Sequence, residues 1–281
     1  MRETGDTRPP FLAMAGFREA VGNPPDRLLL AAFFLSVFCL DYLPRVLSAA
    51  VSFPTSEFIG FVAIAAVLRR LETEAVLRRW DYFALFVASG AVVHPWRHMG
   101  GLALTGIGVL FCFRRDRRLA ALGQLSLALA CIDIWGEMAL TAIEPKILPI
   151  EAALAYVPLS FLDSFSLVGN VISHPDERRG LIVAGSCSAF QNMLAVALLW
   201  LSFMKIANLE FSRRSFGVLA GGLVMVVLLN TLRMSLCAWS PEYFQYWHEG
   251  PGARLLSLMM LALALAIFYF GLAGADDRAK P

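Results

Sequence analysis

The 281-residue chain is dominated by apolar blocks, several long enough to span lipid, joined by short loops rich in arginine. A helix of about 20 apolar residues crosses the hydrocarbon core of a bilayer. Inside that core only helices and closed barrels satisfy their backbone hydrogen bonds. Hydrophobic residues make up 58% of the chain and charged residues 16%, against roughly one half and one quarter in soluble domains. The pattern predicts an all-α, polytopic transmembrane helical bundle. A net charge of +2 provides no basic surface for nucleic acid, so the expected surroundings are a lipid bilayer and no nucleic acid. The five cysteines show no CxxC and no Cys/His ligand spacing, which argues against zinc, haem attachment and a disulfide framework. Neither a metal nor a cofactor is expected.

Residues 1–26 form a polar cytoplasmic lead containing Pro9, Pro10, Pro24 and Pro25. Apolar blocks follow at 28–48, 53–68, 82–93, 101–113 and 119–143, the third and fourth short for a full crossing. Ser48-Ala49-Ala50 faintly resembles a signal-peptidase site, but Asp41 interrupts the stretch before it and another block follows at once. The first helix is therefore expected to stay. Arg69, Arg70, Arg78, Arg79 and the run Arg114-Arg115-Asp116-Arg117-Arg118 mark cytoplasmic loops. The segment 147–165, carrying Pro149, Glu151, Pro158 and Asp163, is expected to lie in the interface or re-enter. Blocks 190–209, 216–238 and 255–272 cross, with Arg213 and Arg214 inside. Loop charge then predicts about eight crossings plus one interfacial or re-entrant helix in the plasma (inner) membrane, with both termini cytoplasmic and Cys187 outside. The expected divisions are the lead at 1–26, N-terminal membrane helices at 27–145, a second membrane domain at 146–274 and a cytoplasmic tail at 275–281.

Ser188-Ala189-Phe190-Gln191 matches a capping box, with Ser188 as N-cap and Gln191 as its N3 partner. Cys187 then sits just before a helix, near the positive end of its dipole, where a thiolate is stabilised. Cysteine is otherwise a small hydrophobe, and Cys39, Cys112 and Cys131, within apolar blocks, read that way. Cys237, near the outer end of its block, offers Cys187 another use, as half of an external disulfide. Arg233 lies roughly 8 Å of helix rise from the outer end of the same block. An arginine there is costly unless paired or snorkelled to the interface. Asn230, three residues earlier, shares its helical face, which points to an internal polar site. His248 falls just outside, in the aromatic stretch Tyr243 to Gly250, where a belt residue is the plainer reading.

Three rivals compete with these residues. His94 and His98 are four apart, as helical metal ligands can be, but Pro95 lies between them and no acidic ligand is evident nearby, which favours a loop. Asp133 and Glu137 lie one turn apart inside a membrane block and suit proton or cation transport, or pairing with Arg233. His174, beside Pro175-Asp176-Glu177, reads as part of a solvated loop.

A cysteine just before one helix, Asn230-x-x-Arg233 in the next, and His248 in the loop before the last together resemble the exosortase/archaeosortase family. The resemblance covers roughly residues 150–270, while the first five blocks match only as generic membrane helices. The family usually carries glycine two residues after the cysteine, where this chain has Ala189. The resemblance implies a membrane-embedded cysteine protease/transpeptidase acting on exported proteins. Its substrates would end in a C-terminal sorting signal: a short motif such as Pro-Glu-Pro, a transmembrane helix and a basic cluster. Cys187 would attack the signal and form a thioester, with His248 as general base or acid. Arg233 would stabilise the developing oxyanion or the thiolate, and Asn230 would orient Arg233. A surface polysaccharide or lipid acceptor, or water, would release the product. The competing class is a transporter or membrane scaffold in which Asp133, Glu137 and Arg233 form a buried charge network.

Overall fold

The computed structural model describes residues 24–44, 55–71, 77–94, 96, 98–162, 164–174 and 180–272. Most of the expected lead, Ser48-Ala49-Ala50 and the tail lie outside the described residues. The chain is mostly helical. Helix α1 (Pro24–Val37) runs on through a π-helical turn (Phe38–Tyr42), and α2 (Thr55–Arg69), α3 (Arg79–Val93) and α4 (Met99–Cys112) follow. Helix α5 (Arg117–Ala130), a π-turn (Cys131–Trp135) and α6 (Gly136–Leu159) come next, then strands β1 (Ser166–Val168), β2 (Val171–Ser173) and β3 (Gly180–Ile182). The remainder is α7 (Ala189–Ile206), α8 (Arg213–Trp239), the short α9 (Pro241–Phe244) with a π-turn (Gln245–Glu249), and α10 (Pro251–Leu272). Four helices among the described residues are long and apolar enough to cross a membrane: the α5–α6 rod, α7, α8 and α10.

Side-chain oxygens start these helices. Asp116 accepts the Arg118 and Leu119 N–H groups ahead of α5, Ser212 and Ser215 cap α8 reciprocally, and Ser240 accepts from Tyr243 with Pro241 at the first helical position. Each satisfies donors that a helix leaves open at its N-terminus.

The bundle has two chemically distinct ends. At one, a cavity of about 1030 Å³ is lined by Arg69 at the end of α2 and Arg70 just after it, Arg117 and Arg118 of α5, and Lys205 of α7. Arg114 pairs with Asp81 of α3 at this end, and Arg214 Nε donates to the Gly271 carbonyl at 2.8 Å, bringing the start of α8 to the end of α10. The opposite end holds Cys187 and His248, each ahead of a helix, α7 and α10 respectively, that finishes at the arginine end. Buried Phe111, Leu122 and Leu125 fill the interior between α1–α5 and α7, and Met204, Val226 and Phe268 fill that between α7, α8 and α10. Phe86, Leu228, Leu258 and Phe270 are exposed on the outside, an apolar exterior of the kind lipid solvates. Where α4 turns back into α5, a Cβ on Gly123 would come within 2.8 Å of the Gly108 carbonyl oxygen and the Phe111 carbonyl carbon. Only glycine permits the two backbones to lie so close.

Two sequence expectations are corrected here. The break expected between residues 143 and 147 does not exist: Arg117–Leu159 is one helix of 43 residues, about 64 Å of rise and twice the ~30 Å hydrocarbon core. The division expected at 145/146 falls inside it. Its second half passes the start of α7 and the last turns of α8. Gly136 packs on Leu194, Glu144 lies beside Gly185, Glu151 meets Ser188, and Ser235 donates to the Ala155 carbonyl at 2.7 Å. Pro145, Pro149 and Pro158 each remove one backbone donor without ending the helix.

The second correction is a small antiparallel sheet, ordered β1-β2-β3, in a chain expected to be all-α. Ser166 pairs with Ser173 and Val171 with Ile182. Gly169, at φ 62°, supplies the left-handed backbone that the two-residue Gly169-Asn170 turn needs. Ile172 and Val183 are buried against Leu148 and Ala152 of α6, next to Cys187 and Met234. The sheet thereby fixes where the chain enters α7.

Candidate active site

From β3 the chain passes Val183, whose N–H donates to Asn170 O and whose carbonyl accepts from Asn170 Nδ2, both at 2.9 Å. It then makes one 3-10 turn, Gly185–Cys187, closed by Cys187 N–H on Ala184 O at 2.8 Å. Ser188 is extended and N-caps α7 as expected, its Oγ accepting from Phe190 N–H at 3.1 Å. The capping-box partner is not Gln191. The Ser188 N–H goes to Gly185 O at 3.1 Å, and Glu151 of α6 adds a further acceptor: its Oε1 accepts both the Ser188 hydroxyl at 2.9 Å and the Ala189 N–H at 3.0 Å.

Asn230 is fully buried on α8, and its Nδ2 donates to the Cys187 carbonyl at 2.9 Å. It therefore holds the Cys187 turn, and no hydrogen bond joins it to Arg233 among the described residues. Arg233 reaches the other partner, with Nε donating to the Trp247 carbonyl at 3.1 Å, one residue before His248. Its Nη nitrogens make no hydrogen bond among the described residues, which leaves them available to a developing negative charge.

His248 lies in the π-turn after α9, and its Nε2 sits 3.6 Å from Cys187 Sγ, although the two are 61 positions apart. The Phe244 ring lies parallel to the imidazole. Nδ1 makes no hydrogen bond among the described residues, with Glu249 Oε1 at 3.9 Å. Partial burial holds the His248 pKa below the ordinary imidazole value, and the Arg233 charge pushes it the same way, against a weaker pull from Glu249. Its neutral form can accept a proton near pH 7. No hydrogen bond joins Arg233 to Cys187 among the described residues. A groove of about 610 Å³ opens beside the pair, lined by β3, Cys237, Phe244 and Glu249.

The remaining candidates fall elsewhere. Cys187 and Cys237 are both buried free thiols, so the external disulfide is not formed. His94 and His98 lie in the connection between α3 and α4, as expected, but acids are close by. His98 Nδ1 is 3.5 Å from Asp133 Oδ1, and Nε2 is 3.8 Å from Glu137 Oε2. No ion pair joins Arg233 to either acid among the described residues. His174 follows β2 and packs edge-on against Phe165, ring centroids 4.9 Å apart, while Pro175-Asp176-Glu177 lie outside the described residues.

Three participants escaped the sequence: Glu151, Phe244 and the Trp247 carbonyl. Only Glu151 left a signal, as an acid on the buried face that carries Leu148, Ala152 and Ala155. Compared with known proteins, the chain matches no family model, no curated protein and no solved structure.

Proposed function

We propose that this chain is a membrane-embedded cysteine protease/transpeptidase that processes the C-terminal sorting signal of exported proteins, as the exosortase/archaeosortase resemblance implies. The observation that carries the reading is the contact of Cys187 Sγ with His248 Nε2 at 3.6 Å. His248 takes the thiol proton, and the Cys187 thiolate attacks the scissile carbonyl. The Arg233 Nη groups face the oxyanion. As the tetrahedral intermediate collapses, the C–N bond breaks and His248 returns its proton to the leaving amine, leaving a thioester on Cys187. A hydroxyl or amine acceptor, or water, gives its proton to His248 and attacks the thioester, which frees the thiol.

In this reading eight helical segments cross the bilayer, α1–α4 in a thinned or tilted part of it. The arginine end and both termini are cytoplasmic by the positive-inside rule, and the thiol faces outward. The signal's basic cluster stays inside while its short motif reaches Cys187. The test is a covalent trap. Purified full-length protein is mixed with a reporter ending in Pro-Glu-Pro, an apolar helix and an arginine cluster, then denatured without thiols. A hydroxylamine-sensitive adduct mapping to the Cys187 peptide supports the reading; an adduct that persists in Cys187→Ala overturns it.

A further inference from the structure

The nucleophile turn is held from two sides, and only one of these lies on the helix that carries Arg233. Asn230 takes the Cys187 carbonyl from α8. From α6, Glu151 Oε1 receives the next two donors along the chain, the Ser188 hydroxyl and the Ala189 N–H. Glu144, seven residues earlier and so on the same face of the helix, lies against the start of the turn: a Cβ on Gly185 would be 3.0 Å from its Oε1. One face of α6 thus follows the turn from Gly185 to Ala189. Glu151 is 7% exposed, and its Oε2 has no hydrogen-bond partner among the described residues. A buried carboxylate with an unmade bond is costly, and such a group in the wall of a site invites a role beyond cohesion.

We infer that Glu151 is a positioning residue for the Cys187–His248 pair, setting the thiol at the imidazole by gripping Ser188 and Ala189. The inference rests on the proposed thiol mechanism and adds to it a residue that never touches substrate. The grip depends on an acceptor oxygen, not on charge. A glutamine offers that oxygen at the same reach, and an alanine does not.

The test is a double-mutant cycle read on thiol chemistry. Full-length protein in detergent is treated with iodoacetamide, and alkylation of the Cys187 peptide is timed by mass spectrometry. In wild type, His248→Ala is expected to slow alkylation about tenfold, within the range of a lost general base. In Glu151→Ala, adding His248→Ala is expected to slow it less than twofold, because the pair is already uncoupled. Glu151→Gln should restore the full His248 effect. Ser188→Ala, which removes one of the two donors and is the milder change should Glu151→Ala fail to accumulate, is expected to shrink that effect. An undiminished His248 effect in Glu151→Ala or Ser188→Ala overturns the positioning role alone, as does a Glu151→Gln protein no better than Glu151→Ala. No His248 effect in wild type overturns the thiol–imidazole reading as well.

Discussion

The Phe244 ring lies parallel to the His248 imidazole, with centroids 4.6 Å apart and planes 12° from coincidence. No side chain hydrogen-bonds Nδ1 among the described residues, so in the proposed mechanism an aromatic face takes the place of the third group that usually orients a general base. Stacking of this kind is worth about 0.5–1.5 kcal/mol. Phe244→Ala is expected to lower Cys187 alkylation and signal processing by roughly three- to tenfold. Phe244→Tyr should stay near wild type. Equal rates for Phe244→Ala and wild type would remove the ring from the account.

The acid limb of Cys187 reactivity should follow His248. Burial and the Arg233 charge favour neutral imidazole in the folded protein, so the limb falls below the ordinary histidine value of about 6.5. Arg233→Gln removes a positive charge and makes imidazolium easier to form, so the limb moves to higher pH. Glu249→Gln removes the opposing pull and moves it lower. Stability has a matching sign. Between the folded and unfolded values the unfolded chain holds more protons, so the folded state loses stability as pH falls through that window. Alkylation and thermal unfolding across pH 4–8 check both.

Asn230 gives the Cys187 carbonyl its hydrogen bond inside the protein. Asn230→Ala should cost about 1–3 kcal/mol through the carbonyl left unpaired, seen as a lower thermal midpoint in detergent. Asn230→Asp should be worse, since a carboxylate then faces a carbonyl. If Asn230 instead oriented Arg233, the two substitutions would spare Cys187 reactivity.

Asp133→Asn and Glu137→Gln are expected to change processing less than twofold. Both acids lie beside His98, away from the thiol. Processing abolished by either change, with Cys187→Ser silent, would favour transport.

Much of the fold was legible. Apolar blocks marked α7, α8 and α10, and the order Cys187, Asn230, Arg233, His248 placed the polar residues that later meet. Ser188 was legible as a cap because its oxygen acts within two residues of itself. Its partner was not, since Glu151 lies 37 positions away and capping rules read only local spacing. Pro149 and Pro158 counted toward an interfacial or re-entrant segment, yet a helix in a membrane protein keeps its course where neighbours take up the freed backbone groups. The sheet was hidden because its strands have three residues each, too few for an alternating pattern to declare itself.

The central claim, that the Cys187 thiol is the nucleophile, is tested most directly in cells that export a reporter bearing the tripartite signal. Wild type and Cys187→Ala are produced at matched levels, and the reporter's mass is followed by immunoblot. Wild type is expected to shorten the reporter by the helix and basic cluster, while Cys187→Ala leaves it at full length. Cleavage at the same position by Cys187→Ala would contradict the account.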